Sequence, residues 1–377
     1  MTIVGTRPEI IRLARVIAKL DLTCDHLLVH TRQNYDPNLG EVFFEELAIR
    51  RPNRYLDVAP GSLGRMLGDS FGKIEAALEE GRPDAVLVLG DTNSALTAFV
   101  AKRMGITVFH MEAGNRSFDA NVPEETNRKV IDHFADINLV YTEHARRNLL
   151  SEGLEPRKIY LTGSPLFEVI EYYRPRIASS NVLERLDLER GSYFLLSMHR
   201  EENVDNAPRL ASLLAGVGDL AQHYGLPVVS TTHPRTRQRL GALGDLADAA
   251  AIRFLEPFSY LDYLALQCSA RCVISDSGSI AEEAAMLDVP AVTVRDAIER
   301  PEALDTGGVV LAGAAPGGLL DAVRTMLASR ERCTTRMIPP EYAVPDCSER
   351  VVKCIVGMTR LQPRWDNLDR PKRRVAR

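Results

Sequence analysis

Three short stretches in the first half of the chain place a carboxylate where an apolar run ends. They are Gly90-Asp91-Thr92, His110-Met111-Glu112-Ala113-Gly114 and Pro123-Glu124-Glu125-Thr126-Asn127-Arg128. Singly, each has an ordinary explanation. Asp91 and Glu124 could cap helices, a contribution of about 1 kcal/mol, and Glu112 could pair with Arg116. Gathered on one edge of a sheet, the three would form a proton-moving set, because acid/base work needs carboxyl groups in differing environments. Ahead of them, Gly5-Thr6-Arg7-Pro8-Glu9 joins a strand-like start to a helix. Free N–H groups at a helix N-terminus favour an anion, and Arg7 adds a cation. The full G-x-G-x-x-G pattern is absent, so the motif alone reads as a common βα turn with a surface Arg.

The second half supplies cations and hydroxyls. His199-Arg200-Glu201-Glu202-Asn203 and His233-Pro234-Arg235-Thr236-Arg237 each follow a strand-like run. Ser275-Asp276-Ser277-Gly278-Ser279 sits at a strand-to-helix turn with Glu282 and Glu283 beyond it, and Arg295 and Glu299-Arg300-Pro301-Glu302 follow the next run. Small residues at such a turn can wrap phosphate oxygens through backbone N–H groups, and a Glu one turn into the helix can accept both hydroxyls of a ribose. A plain capped loop explains the Ser-Gly-Ser turn equally well. A serine hydrolase is disfavoured because the G-x-S-x-G elbow is missing, and an ATPase because no P-loop Gly-Lys-Ser/Thr occurs. Eight histidines form no H-x-x-x-H or H-E-x-x-H pattern and six cysteines no C-x-x-C pair, so neither a metal site nor a disulfide framework is expected. Cys24 and Cys272 fall in apolar, strand-like runs, where a thiol acts as a small hydrophobe.

Short Val/Leu/Ile runs alternate with helical patterns, which calls for parallel sheets covered on both faces. The expected strands are 2–4, 26–30, 85–89, 107–110, 137–141 and 159–161, then 193–197, 227–231, 252–255, 272–275, 291–294 and 309–311. A polar stretch, 172–191, interrupts the series. The fold expected is α/β, with two doubly wound Rossmann-like domains spanning 1–168 and 169–360, and a basic tail over 361–377. Ligands of such sheets bind beyond the carboxyl ends of the strands, which places the site in the cleft between domains. The 377 residues are 45% hydrophobic and 26% charged, and 46 basic against 51 acidic side chains leave a net charge of −5, unlike a dedicated nucleic-acid binder. No apolar run nears the roughly 20 residues of a membrane span, and no signal peptide is evident, so a cytoplasmic protein is expected.

Taken in order, Gly5-Thr6-Arg7-Pro8-Glu9, Gly90-Asp91-Thr92, His110 to Gly114, Pro123 to Arg128, Ser275-Asp276-Ser277-Gly278 with Glu282-Glu283, and Glu299-Arg300-Pro301-Glu302-Ala303 resemble the non-hydrolysing UDP-N-acetylglucosamine 2-epimerases along nearly the whole chain. The resemblance implies a glycosyltransferase-B-like architecture, a homodimer, a UDP-sugar substrate, and no metal or redox cofactor. It places the catalytic groups on Asp91, Glu112, Glu124 and His199. Arg7, Arg12, Tyr263, Ser277, Gly278, Ser279, Glu283 and Arg300 form the implied substrate-binding set. It further implies elimination of UDP to a 2-acetamidoglycal and re-addition with inversion at C2.

The chain departs from the common family pattern at three places. Arg12 stands where Lys is typical, Ser279 where the turn often has Gly, and Thr31-Arg32-Gln33-Asn34-Tyr35-Asp36 replaces a stretch that contributes to a regulatory UDP-sugar site in bacterial members. Gln33 to Asp36, Gly114-Asn115-Arg116 and Met198 to Asn203 resemble instead a branch acting on UDP-2-acetamido-2,6-dideoxy-L-talose. UDP-N-acetylglucosamine is the first expected substrate and the 6-deoxy sugar the alternative. A UDP-sugar glycosyltransferase is the more distant rival.

Overall fold

The protein is described by a computed structural model covering residues 1–32, 43–232, 234–243, 252–315, 317–332 and 338–366. It divides into two units, Met1–Val169 with Ala343–Arg377, and Ile170–Tyr342.

The first unit carries a sheet of seven strands among the described residues, in the order β3-β2-β1-β4-β5-β6-β7. These are β1 (Thr2–Val4), β2 (Leu28–His30), β3 (Arg54–Tyr55), β4 (Ala85–Leu89), β5 (Thr107–Ala113), β6 (Ile137–Val140) and β7 (Ile159–Leu161). All pairings are parallel. Val86, Val88 and Val108 bury one face of the sheet against Ile74, Ala77 and Leu78 of helix Leu63–Gly81 and Ala98 and Ala101 of helix Ala98–Arg103. With both faces covered, these strands are rich in Val, Leu and Ile rather than alternating apolar and polar.

The second unit repeats the plan with six strands among the described residues, ordered β10-β9-β8-β11-β12-β13. They are β8 (Phe194–Ser197), β9 (Val228–Thr231), β10 (Ile252–Leu255), β11 (Cys272–Ser275), β12 (Ala291–Thr293) and β13 (Val310–Leu311). Phe194, Leu196, Ile274 and Val292 pack against Leu210, Leu213, Leu214 and Val217 of helix Ala207–Tyr224 and Val323 of helix Gly318–Arg332. In each sheet the order reverses beside the first strand, between β1 and β4 and between β8 and β11. That switch point is where open α/β sheets bind ligands, beyond the carboxyl ends of the strands. The expected doubly wound Rossmann-like units are therefore present.

Five expectations need correction. Strand β3 was not foreseen, being two residues long. The expected strand ending at His110 runs on to Ala113. Much of the polar stretch 172–191 is helical, because helix Pro165–Ala178 continues through Pro175 and a second helix spans Val182–Leu186. The limit at 360 also fails, since the chain from Ala343 groups with the first unit. The cause is helix Cys347–Met358, which buries Cys347, Val351, Val352 and Ile355 and packs on helix Arg7–Thr23. Lys19 pairs with Glu349 at 2.8 Å, and Glu168 accepts from the Ser348 N–H at 2.8 Å and its hydroxyl at 2.6 Å. Helix Gln362–Trp365 follows, and Gln362 Nε2 donates to Asp136 at 2.6 Å. The rest of the expected tail, 367–377, lies outside the described residues. Cys24 caps the first helix rather than entering a strand.

Candidate active site

The first unit gathers its chemistry at the carboxyl ends of β1, β4 and β5. After β1, Glu9 turns back from the third position of helix Arg7–Thr23. Its Oε2 accepts the Gly5 and Thr6 N–H groups at 2.9 and 2.7 Å, and its Oε1 accepts the Thr92 hydroxyl at 2.8 Å. Burial pushes this carboxyl up to about 7, against the pull of the Thr6, Thr92 and backbone donors. Glu9 thus ties the turn carrying Arg7 to the turn carrying Asp91. The Arg7 guanidinium lies 5.3 Å from the Phe43 ring centre.

After β4, Asp91 keeps about a quarter of its side chain exposed and accepts Arg128 Nη2 at 2.6 Å and Nε at 3.1 Å. Asn127 Nδ2 holds the Asp91 carbonyl at 2.9 Å. The next helix is capped by Thr92 rather than Asp91. At the end of β5, Glu112 adopts φ +64° where the pairing with β6 shifts register. Its Oε2 lies 3.5 Å from Arg12 Nε, and both side chains are largely buried. The expected Glu112–Arg116 pair is replaced. Arg116 instead forks onto Glu152 at 2.7 and 2.6 Å and reaches Asp132 at 2.7 Å.

Glu124 is exposed in the first turn of helix Pro123–Phe134, one position after the Pro that opens it. Its neighbour Glu125 is buried and accepts the Ser117 N–H and hydroxyl, each at 3.0 Å. Burial works to raise the Glu125 carboxyl, but the Ser117 N–H, the Arg128 charge and the Ser117 and Lys129 side chains outweigh it and leave it below its ordinary value. One helix therefore organises all three carboxylates. It bears Glu124, grips Asp91 through Asn127 and Arg128, and braces the backbone beside Glu112 through Asp132.

In the second unit, buried Asp276 fixes the turn after β8. It accepts the His199 and Arg200 N–H groups at 3.1 and 3.0 Å and Asn203 Nδ2 at 3.1 Å, and its Oδ1 lies 3.3 Å from His199 Nδ1. The His199 ring stays about half exposed. In the turn after β11 the Ser277 and Ser279 hydroxyls are 3.0 Å apart. Arg300 Nη1 donates to the Gly278 carbonyl at 3.0 Å while its Nε sits 2.9 Å from Glu282. A Cβ on Gly278 would sit 3.0 Å from that guanidinium, a tight contact that Arg300 would have to shift to relieve. Glu283 accepts Gln267 Nε2 at 2.7 Å. Tyr263 lies one turn before Gln267 on helix Tyr260–Ser269 and so shares its side of the helix. Arg295 and Glu299 form a buried two-pronged pair at 2.6 and 2.9 Å beside Arg300.

Each unit thus brings its own candidates together, Arg7, Arg12, Asp91, Glu112 and Glu124 in one, His199, Ser277, Gly278, Ser279, Glu283 and Arg300 in the other. His233 and the segment 33–36 lie outside the described residues. Asp132, Asp276, Glu9 and Gln267 escaped sequence reasoning as site residues, although Glu9 and Asp276 stand inside motifs that were singled out. No group of side chains among the described residues has the make-up of a metal site.

A family model described as UDP-N-acetylglucosamine 2-epimerase matches residues 18–356. The chain belongs to the UDP-N-acetylglucosamine 2-epimerase family. It falls in the non-hydrolysing branch, and is an isomerase of nucleotide sugars. The UDP-N-acetylglucosamine 2-epimerase of Methanococcus maripaludis is 39% identical over 334 residues, covering 87% of this chain and 91% of the relative. A UDP-2,3-diacetamido-2,3-dideoxy-D-glucuronate 2-epimerase of Pseudomonas aeruginosa is 35% identical over 333 residues, covering 87% and 92%. The structure of UDP-N-acetylglucosamine 2-epimerase from Rickettsia bellii superposes with a TM-score of 0.90 at 41% identity, covering 97% of each chain. Among the described residues no helix is long and apolar enough to cross a membrane.

Proposed function

We propose that the chain interconverts UDP-N-acetylglucosamine and UDP-N-acetylmannosamine by eliminating UDP to a 2-acetamidoglycal and adding it back. The C2 proton has no adjacent carbonyl and is barely acidic, so removing it alone would leave a costly carbanion. Breaking the C1–O bond as the proton leaves puts the electron pair into a C1–C2 double bond and the charge on departing UDP. Return of the UDP oxygen to C1, with a proton delivered to the other face of C2, completes the inversion without water. Carboxylates among Asp91, Glu112 and Glu124 move the proton in this scheme. Arg7, His199 and Arg300 stabilise the charge growing on the diphosphate. Ser277, Gly278, Ser279, Glu283 and Arg300 hold the nucleotide, with Arg12 and Tyr263 as further substrate contacts. The two Rossmann-like units then divide the work in a glycosyltransferase-B-like manner.

The observation that carries this reading is the single helix Pro123–Phe134 organising three carboxylates of unequal exposure, one gripped by Arg128, one facing Arg12 and one open to solvent. A glycosyltransferase needs no such set. The same reading takes the working protein to be a cytoplasmic homodimer whose activity survives EDTA, and sedimentation with a chelator-treated assay checks both the dimer and the metal independence.

Proton NMR with UDP-N-acetylglucosamine in D₂O tests the reaction directly. Deuterium at C2 together with a UDP-N-acetylmannosamine signal is the expected result. If both are missing, UDP-2-acetamido-2,6-dideoxy-L-talose is the substrate to try, and silence with that sugar too rejects the epimerase.

A further inference from the structure

His110, Arg116 and Asp132 form a cluster of titratable side chains with no solvent exposure at all, and the scheme above uses none of them. The cluster nevertheless holds the backbone on both sides of Glu112. Asp132 accepts the Gly114 N–H at 3.2 Å and Arg116 Nη1 at 2.7 Å. Its Oδ1 lies 2.9 Å from His110 Nδ1, a close contact out of line for a hydrogen bond. On the other side of the ring, His110 Nε2 meets the Gly90 carbonyl at 2.8 Å, and because that oxygen can only accept, Nε2 is the donor of this bond. The Gly90 N–H in turn donates to the Met111 carbonyl at 2.9 Å. Gly90, the residue before Asp91, is therefore held to β5 through both its N–H and its carbonyl. Between these clamps sits Glu112 in the left-handed region, a conformation costly for a non-glycine residue that persists only where its surroundings fix it.

We propose that the buried His110–Asp132 pair is a positioning unit that sets the spacing of Asp91 and Glu112 as one rigid group. The inference rests on the epimerase reading and adds residues that touch no substrate. Inversion requires a proton to leave one face of C2 and another to arrive on the opposite face, so two carboxylates must be correctly placed at once. A misplacement of about 1 Å can cost a hundredfold in rate.

Three variants test it: Asp132→Asn, His110→Phe, which fills the ring's space without its nitrogens, and His110→Gln, whose amide can still reach the Gly90 carbonyl. In D₂O with UDP-N-acetylglucosamine, Asp132→Asn and His110→Phe are expected to lower kcat about ten- to a hundredfold while UDP affinity stays within about twofold. They should also shift the ratio of C2-deuterated starting sugar to C2-deuterated epimer, with His110→Gln intermediate in both respects. Loss of folded protein scales both sugars equally and leaves that ratio alone, so the ratio separates positioning from damage to the fold. Folded Asp132→Asn and His110→Phe with wild-type kcat and ratio overturn the proposal. If neither folds, His110→Gln decides, and a wild-type ratio in that variant overturns it. Wild-type protein that gives no exchange with this sugar or with the 6-deoxy sugar removes the epimerase reading and this proposal with it, whereas an active wild type with unaffected variants removes the positioning unit alone.

Discussion

Two carboxyls a few residues from the same sheet edge face opposite demands. Asp91 keeps about a quarter of its side chain in solvent and is gripped by Arg128, whereas Glu9 is buried among neutral donors. If Asp91, Glu112 and Glu124 move the proton, Asp91→Asn, Glu112→Gln and Glu124→Gln should each lower kcat by two or more orders of magnitude, roughly 3 kcal/mol of barrier. UDP affinity should change little in these variants. Arg300→Ala and Glu283→Gln should reverse that pattern, and calorimetric titration with UDP beside a rate assay separates the two groups. Glu9 belongs to neither, and its signature is a pH dependence of stability. Its folded value of about 7 lies above the ordinary 4.5, so between those values the folded chain holds a proton that the unfolded chain has lost. Stability from Glu9 is thus complete below pH 4.5 and falls as pH rises towards 7. His30 acts with the opposite sign. Burial, helped by Arg32 and opposed by Asp57, lowers it to about 4 from 6.5, so its contribution is present above 6.5 and fades as pH falls. The two partly cancel. Glu9→Gln keeps an acceptor for Gly5 and Thr6 and a donor for Thr92 while removing the titration. The urea-unfolding stability of wild type should therefore fall by a few kcal/mol relative to Glu9→Gln from pH 4.5 to 7, and a constant difference would show that Glu9 titrates normally.

At the scale of elements, the strands were legible because runs such as Ala85–Leu89 and Cys272–Ser275 are apolar at successive positions and end in Gly, Asp or Ser. Strand β3 was not, because Arg54-Tyr55 is too short to show a period and is recognisable only by its pairing with Val29 and His30. The site was legible as motifs but its wiring was not. Arg116 stands four residues after Glu112, a spacing that brings side chains together on a helix, yet Glu112 lies in a bulged strand end where that rule fails. Asp132 looks like a helix-surface acid in sequence, and only the sheet beside it shows that it faces inward. The bulge itself depends on Gly114, which has φ +81° and no room for a side chain, since a Cβ would sit 2.3 Å from the Ala145 carbonyl oxygen. Gly114→Ala should cost about 3 kcal/mol or more, because backbone rather than a flexible side chain must move. Gly72→Ala is the contrast. It lies inside helix Leu63–Gly81 with nothing within 4 Å of the added carbon, and should stabilise by about 0.5–1 kcal/mol. Denaturant midpoints of the two variants should move in opposite directions.

Across the whole molecule, the chain builds one unit, then the other, then returns to the first. Composition and periodicity report local structure, so the sequence reads as two consecutive domains and a tail, whereas the return of Cys347–Met358 is decided by which apolar face it meets. Helix Arg7–Thr23 offers that face, and the Ser348–Glu168 and Lys19–Glu349 contacts fix the approach. The last helices are therefore part of the first unit's core rather than an appendage to the second. Val351 is fully buried, so Val351→Ala should cost about 2–3 kcal/mol. Removing residues 347–377 withdraws Val351, Val352 and Ile355 together, at about 2 kcal/mol each by buried area, a loss comparable with the whole stability of a domain. The truncated chain keeps every candidate site residue named above. It should nonetheless lose catalytic turnover through unfolding of the first unit, while the second unit, whose strands and nucleotide-binding candidates end before Ala343, still melts cooperatively. Calorimetry resolves the two cases: one surviving transition with UDP-dependent stabilisation is expected, and a truncated chain with both transitions intact would show that the returning segment is only a tether.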